Sequence, residues 1–249
     1  MYRLMRKKYN IFYIILLLLF ILFILLLINS LNVKYKKLFE NMDDDYPPIF
    51  VISLQKRQER REHIKNEFEN NNIKNWQFFD AYEPTDEEMK KYPNRRKGKV
   101  GVTISHRLVW EKCLELNKPV FIFEDDVYFV NFSYDDIKLL NNNKDKWDIA
   151  WFGYCYEKKG ENIIGNFCKS YRPRCRHSYI ITPECAKILL DNIDFKSNGD
   201  EQMGSLIKNN KIKSLSLFPA TVEQSWQKKD YTFLGSDTDP EKFKKYLKK

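Results

Sequence analysis

Apolar and polar positions divide this chain into one long greasy segment near the start and a series of short alternating ones after it. Positions 11–28 (IFYIILLLLFILFILLLI) are apolar without interruption, long enough for a helix across a bilayer core with Tyr9 and Asn29 at its interfaces. Residues 29–47 turn polar and charged and run into Pro47-Pro48, which cannot continue a helix; the segment reads as a stem. A globular domain then begins near Ile49. The pattern predicts a strand over 49–54, a charged helix over 57–70 and a strand over 76–81, a β-α-β opening. Apolar positions 104, 108, 109 and 116 with Trp110 predict a helix over 101–116, feeding a buried strand at 119–123. Further strands are expected at 147–153, 177–182 and 212–217, and helices at 183–192, with proline in its first turn, and 202–208. Alternating β and α imply a mostly parallel sheet, and in such sheets ligands gather beyond the carboxyl ends of strands.

Charge and cysteine content refine this outline. Arg3, Arg6, Lys7 and Lys8 precede the apolar run and Lys34, Lys36 and Lys37 follow it, a bias toward a cytosolic N-terminus. No small-x-small site follows in residues 29–32, so the run reads as a signal-anchor rather than a cleaved leader. The expected organisation is a cytosolic tail (1–10), a transmembrane signal-anchor (11–28), a stem (29–47), a globular domain (48–235) and a basic C-terminal tail (236–249), single-pass with the domain lumenal or extracytoplasmic. Net charge is +9, part of it in Lys242-Phe-Lys-Lys-Tyr-Leu-Lys-Lys, which suits an anionic membrane surface or a phosphorylated substrate. No nucleic-acid motif accompanies the charge, so no nucleic-acid partner is expected. The five cysteines follow no metal spacing; in an oxidising compartment one disulfide among Cys155, Cys168 and Cys175 is expected, and the odd count leaves a free thiol.

The chemistry concentrates where strands end. Glu124, Asp125 and Asp126 follow the apolar 119–123 strand; alternation points Glu124 and Asp126 one way and Asp125 the other, a pair able to hold a hard divalent cation, against the plainer reading of a solvated acidic turn. Arg57, Arg60 and Arg61 follow Val51-Ile-Ser53-Leu54, where guanidinium groups bind diphosphate bidentately, unless they are only a basic helix face. Gly101-Val-Thr-Ile-Ser105-His106 is expected at a helix beginning, offering backbone N–H groups, Ser105 and His106 to an anion or sugar, or else a cap. Asp200-Glu201 opens a helix, where capping alone would explain it, and 219–225 either lines the far side of the cleft or ends the sheet. Three histidines without paired spacing make a histidine-rich zinc centre a poor fit.

Taken in order, Val51-Ile-Ser-Leu54 with Arg57 and Arg60-Arg61, Asp80-Ala81, the 101–106 segment, Phe123-Glu-Asp-Asp-Val127, His177-Ser-Tyr-Ile-Ile-Thr-Pro, Asp200 and 219–224 resemble glycosyltransferase family 25, the group of lipooligosaccharide and procollagen galactosyltransferases. The likeness runs from about Ile49 to Ser225. It implies a GT-A domain, a Rossmann-like mixed α/β sheet, that transfers a hexose, galactose from UDP-galactose, with inversion to a hydroxyl of a glycan, glycolipid or collagen-like protein. Mn²⁺ or a similar ion would sit on Asp126 with Glu124 or Asp125. The resemblance further implies nucleotide-sugar contacts at Ser53, Arg57, Arg60, Arg61, Ser105, His106, Asp125, His177 and Gln224. Asp200 is the expected base, with Glu201 second. Val102 stands where the family often has cysteine, and no histidine follows Asp200 to complete a metal site, which leaves the third ligand open. Similar members pair cysteines equivalent to Cys155 and Cys175. A non-catalytic sugar-binding relative, or a metal-dependent phosphotransferase or nuclease, is the alternative.

Overall fold

Residues 20–24, 26–27 and 46–225 are described from a computed structural model. Most of the 11–28 segment, the 29–45 part of the stem and the basic tail lie outside the described residues; residues 20–24 and 26–27 are helical. Among the described residues no helix is long and apolar enough to cross a membrane.

The domain is built on an eight-stranded mixed sheet with the spatial order β2-β1-β3-β8-β5-β9-β7-β6. Its strands are β1 (Ile49–Ser53), β2 (Trp76–Asp80), β3 (Val120–Glu124), β5 (Ile149–Cys155), β6 (Asn162–Ile164), β7 (Phe167–Lys169), β8 (Arg174–Ile181) and β9 (Ser214–Leu217). β1 pairs parallel with β2 and β3, and β5 parallel with β9. β8 runs antiparallel to both β3 and β5, and β7 antiparallel to β6 and β9. The mostly parallel sheet expected from β/α alternation is thus corrected. After β5 the chain turns back through the β6–β7 hairpin and inserts β8 between β3 and β5, without a crossover helix to enforce parallel pairing.

Strand composition explains the burial. Phe121, Phe123, Phe152 and Phe167 are fully buried and meet ring to ring around Phe132, a core where apolar area rather than polar pairing holds the layers. The helices cover the sheet: α1 (Gln58–Asn70), α2 (Asp86–Met89), α3 (Lys97–Leu116), α4 (Tyr134–Asn141), α5 (Pro183–Asn192) and α6 (Gly199–Lys208). α2 carries a capping box, in which Thr85 and Glu88 satisfy each other's backbone N–H groups. Thr182 caps α5 and Ser133 caps α4.

Register sets the site. Ile52 lies beside Glu124 and Ser53 beside Asp80, so β1, β2 and β3 end along one edge. A small antiparallel ribbon of β4 (Val127–Phe129) and β10 (Val222–Gln224) folds over that edge, pairing Gln224 with Val127. It is pinned by Thr221 N–H to the Phe152 carbonyl (2.9 Å) and Ser225 N–H to the Asp126 carbonyl (2.7 Å).

Candidate active site

Along this edge opens a cavity of about 470 Å³, large enough for a nucleotide-sized ligand. Ser53, Arg60, Ser105, Glu124, Asp125, Asp126, Asp200 and Gln224 all line it. Arg57, Arg61, His106, His177 and Glu201 do not.

The acidic triplet splits by direction. β3 ends at Glu124, and Asp125 and Asp126 form the turn into β4. Gln224 Nε2 donates to Glu124 Oε2 (3.2 Å) and Asp126 Oδ1 (3.3 Å), so one amide spans both carboxylates. Asp125 turns the other way, accepting from Ser53 Oγ (2.7 Å) and Arg60 Nη1 (2.6 Å). The Arg60–Asp125 pair is 7 % and 8 % exposed, so each charge is neutralised by its partner inside the fold. Arg60 also stands 4.0 Å from Asp126.

Electrostatics distinguish the two bridged acids from an ordinary acidic turn. Burial pushes the Asp126 carboxyl up to about 7, with Arg60 opposing and the neighbouring Glu124 and Asp125 charges adding. Burial likewise raises Glu124, partly offset by the field of Arg176. Burial and the neighbouring carboxylates thus disfavour ionisation of the pair, and Arg60 and Arg176 are the cations that oppose this.

Behind Glu124 runs a buried polar chain. Trp110 Nε1–H donates to Tyr179 Oη (2.9 Å), Tyr179 Oη lies 2.8 Å from His106 Nδ1, and His106 Nε2 lies 3.1 Å from Glu124 Oε1. Indole is donor only, so the Tyr179 hydroxyl proton goes to Nδ1, and Nε2–H donates to Glu124. Burial holds the imidazole well below its ordinary pKa, so His106 is neutral and fits this tautomer. His106 therefore orients Glu124 and does not contact the cavity, a correction to its expected place among the ligand contacts.

Local structure gives four further expectations a different setting. α3 starts at Lys97, so residues 101–106 lie inside the helix with their N–H groups committed to it; Ser105 Oγ donates to the Gly101 carbonyl (2.8 Å) and accepts from Tyr82 N–H (2.9 Å). Arg61 bonds Asp80 and the Ser53 carbonyl and lies over the Phe78 ring (4.6 Å), tying α1 to the sheet edge rather than facing a nucleotide. Arg57 occupies the N-cap of α1 and pairs with Glu59. His177 is fully buried against the Val222 carbonyl, in space open only because residue 153 is glycine: a Cβ there would meet His177 Nε2 at 2.3 Å.

On the wall of the same cavity, Asp200 sits in the first turn of α6, where the helix dipole favours a carboxylate. Its Oδ2 accepts from Cys175 N–H (3.3 Å) and its Oδ1 from Glu201 N–H (3.0 Å). Asn198, not Asp200, holds the N-cap position, without a side-chain cap bond. Glu201, the second base candidate, pairs with Arg174 (3.2 Å), and neither residue lines the cavity. Cys155 and Cys175 are joined by a disulfide, with Cα atoms 5.7 Å apart, on the cavity wall; Cys113, Cys168 and Cys185 are buried free thiols. With His177 the bonded pair forms the one cluster of potential metal-ligand atoms among the described residues, and both its sulfurs are already used.

Sequence reasoning missed Arg176. It lines the cavity, is only 6 % exposed, and lies beside the disulfide and His177 in a segment that reads as plain strand. The signal available was a run of alternating cations, Arg172, Arg174 and Arg176, leading into the apolar strand expected from 177.

The fold and site together define an α/β protein with a carboxylate pair at the end of its sheet. Residues 46–164 match the family described as Glycosyltransferase family 25 (LPS biosynthesis protein). Residues 46–164 of the chain are thus similar to family 25 glycosyltransferases. It is similar to the lipooligosaccharide biosynthesis protein lic2B of Haemophilus influenzae, 37 % identical over 127 residues, covering 46 % of this chain and 43 % of that protein. It is also similar to the putative glycosyltransferase R655 of Acanthamoeba polyphaga mimivirus, 31 % identical over 93 residues, 32 % of this chain and 29 % of that protein. The chain spans less than half the length of these relatives. A glycosyltransferase involved in glycosylation of the major capsid of PBCV-1 aligns in structure with TM-score 0.39 at 9 % identity, covering 72 % of this chain and 94 % of that one. Likeness at that level does not bear on activity.

Proposed function

We propose that this chain is a GT-A glycosyltransferase that transfers a hexose from a UDP-sugar, galactose by family resemblance, to an acceptor hydroxyl with inversion. The observation that carries the reading is the Gln224-spanned Glu124/Asp126 pair lining the same cavity as Asp200. A divalent cation fits the pair: one amide reaches both carboxylates, and their buried charges lack full compensation. Two carboxylates with donor phosphates and water make a sufficient ligand set for Mn²⁺ or Mg²⁺. Asp200 is held by two backbone N–H groups in the first turn of α6, a setting that suits the base role.

When bound, the cation would offset charge on the departing diphosphate. The chain's own residues do the rest. Asp200, oriented by two backbone N–H groups, takes the proton from the acceptor hydroxyl as its oxygen bonds to the anomeric carbon. The bond from that carbon to the diphosphate oxygen breaks on the opposite face, and UDP leaves. His106 and Gln224 hold Glu124 in place. Arg60 and Ser53 hold Asp125, keeping the β3–β4 turn fixed. The 11–28 run would anchor the domain to a membrane as a type II protein, near a glycan, glycolipid or collagen-like acceptor.

UDP release from a panel of UDP-sugars, with Mn²⁺ and with chelator, tests the reading. Metal-dependent release from one donor is expected; a folded protein that binds no UDP under either condition refutes it.

A further inference from the structure

Arg176 is a charged group in a place where charge is costly. It lines the cavity at 6 % exposure, its Nη1 has no hydrogen-bond partner among the described residues, and no carboxylate lies within ion-pair distance. A buried guanidinium with an orphaned donor, compensated only through the field of Glu124, gains from an anion that completes it. Its neighbour fits that role. The guanidinium lies against Gly199, the first residue of the ten-residue helix α6, where a Cβ would meet Nη1 at 2.4 Å and Nη2 at 3.2 Å. Asn198, Gly199 and Arg176 all face the same cavity, and the N-cap side chain of Asn198 does not cover the first-turn N–H groups. Glu201 and Gln202 N–H already bond the Asn198 carbonyl, so the Gly199 and Asp200 N–H groups, the helix dipole and the planar fork of Arg176 are the donors this part of the cavity wall offers.

We infer that Arg176 and the N-terminus of α6 form an anion site for a phosphoryl group. Its existence stands on this geometry; only the source of the group rests on the glycosyltransferase reading, being either the diphosphate of the donor or a phosphoryl substituent on the acceptor. Arg176 is then the positive counterpart of the Glu124/Asp126 pair, reached without a metal.

Titration of the full chain with inorganic pyrophosphate in chelator, beside UDP and uridine, tests the site by calorimetry. Arg176→Gln is expected to weaken pyrophosphate tenfold or more, and Gly199→Ala, which displaces the guanidinium while keeping its charge, severalfold. A parallel loss for UDP with uridine unchanged assigns the donor diphosphate; loss for pyrophosphate alone assigns an acceptor phosphoryl group. Should Arg176→Gln not fold, Arg176→Lys keeps the charge and loses the fork, and is expected to bind severalfold more weakly. Wild-type protein that ignores pyrophosphate, or folded variants that bind it unchanged, would overturn the site. Arg176-dependent pyrophosphate binding by a protein indifferent to UDP would leave the site standing and sink the glycosyltransferase reading instead.

Discussion

Replacing Asp126 by asparagine should make the metal-free protein more stable at alkaline pH, although it removes a residue of the active site. Its carboxyl, ordinarily near 3.8, is pushed up to about 7 by burial, with its side chain only 15 % exposed. Between those values the folded state holds a proton that the unfolded state has released, so stability falls as pH rises from about 4 to about 7 and stays low above it. Each tenfold difference in acidity is worth about 1.4 kcal/mol, so ionising Asp126 at pH 8 costs the fold on the order of 4 kcal/mol. Asparagine keeps the shape without the charge and can still meet Gln224. For a domain of this size about 1 kcal/mol moves the melting temperature by roughly 2–4 °C, so Asp126→Asn should melt roughly 10 °C higher than wild type at pH 8 in chelator and at the same temperature at pH 4. Calorimetry at the two pH values reads this directly. Mn²⁺ should raise the wild-type melting temperature at pH 8 and leave the variant unmoved. A variant that melts with or below wild type at pH 8 would refute the argument that Asp126 carries a buried charge that Arg60 offsets only in part.

Asp200→Asn should lower transfer at least a hundredfold while leaving UDP binding intact, the signature of a lost base; loss of metal-dependent UDP binding instead would assign Asp200 to the metal. His106→Ala frees Glu124 from its orienting bond and should weaken Mn²⁺ binding ten- to a hundredfold with little change in UDP affinity in chelator; equal metal affinity would deny the role of the Trp110–Tyr179–His106 chain. Cys155→Ser opens a loop spanning 20 residues and should destabilise the oxidised protein by about 3 kcal/mol, with no effect when wild type is compared under reductant; equal stability in both conditions would argue against the bond.

The sequence carried the strands well because each is an apolar run with a clear end. Val120–Glu124 and Ile149–Cys155 are buried along almost their whole length, and the acids stand at the end of the first, where chain direction alone puts them at a sheet edge. Pairing was less legible. β8 is buried from Arg176 to Ile181 although its first half is polar, and nothing in its composition reveals that it runs antiparallel between β3 and β5. The short β4, β6, β7 and β10 strands have too few residues for a period to show, yet β10 delivers Gln224 to the acids. The start of α3 was hidden by Arg95-Arg96-Lys97-Gly98-Lys99, whose charges and glycine read as loop, and this displaced the expected role of Ser105 and His106. Arg57, Arg60 and Arg61 look alike in sequence; only the packing of α1 sends Arg60 to Asp125 and Arg61 to Asp80. Arg176 was invisible because its meaning depends on Gly199, which lies on another element.

The most direct test of the account is UDP release by the full chain offered UDP-galactose, UDP-glucose and UDP-N-acetylhexosamines with an excess of simple sugar acceptors, in Mn²⁺ and in chelator, with Asp126→Asn alongside. The account predicts release from one UDP-hexose that requires Mn²⁺ and disappears in the variant. Release that is indifferent to both the chelator and the Asp126 substitution would contradict it.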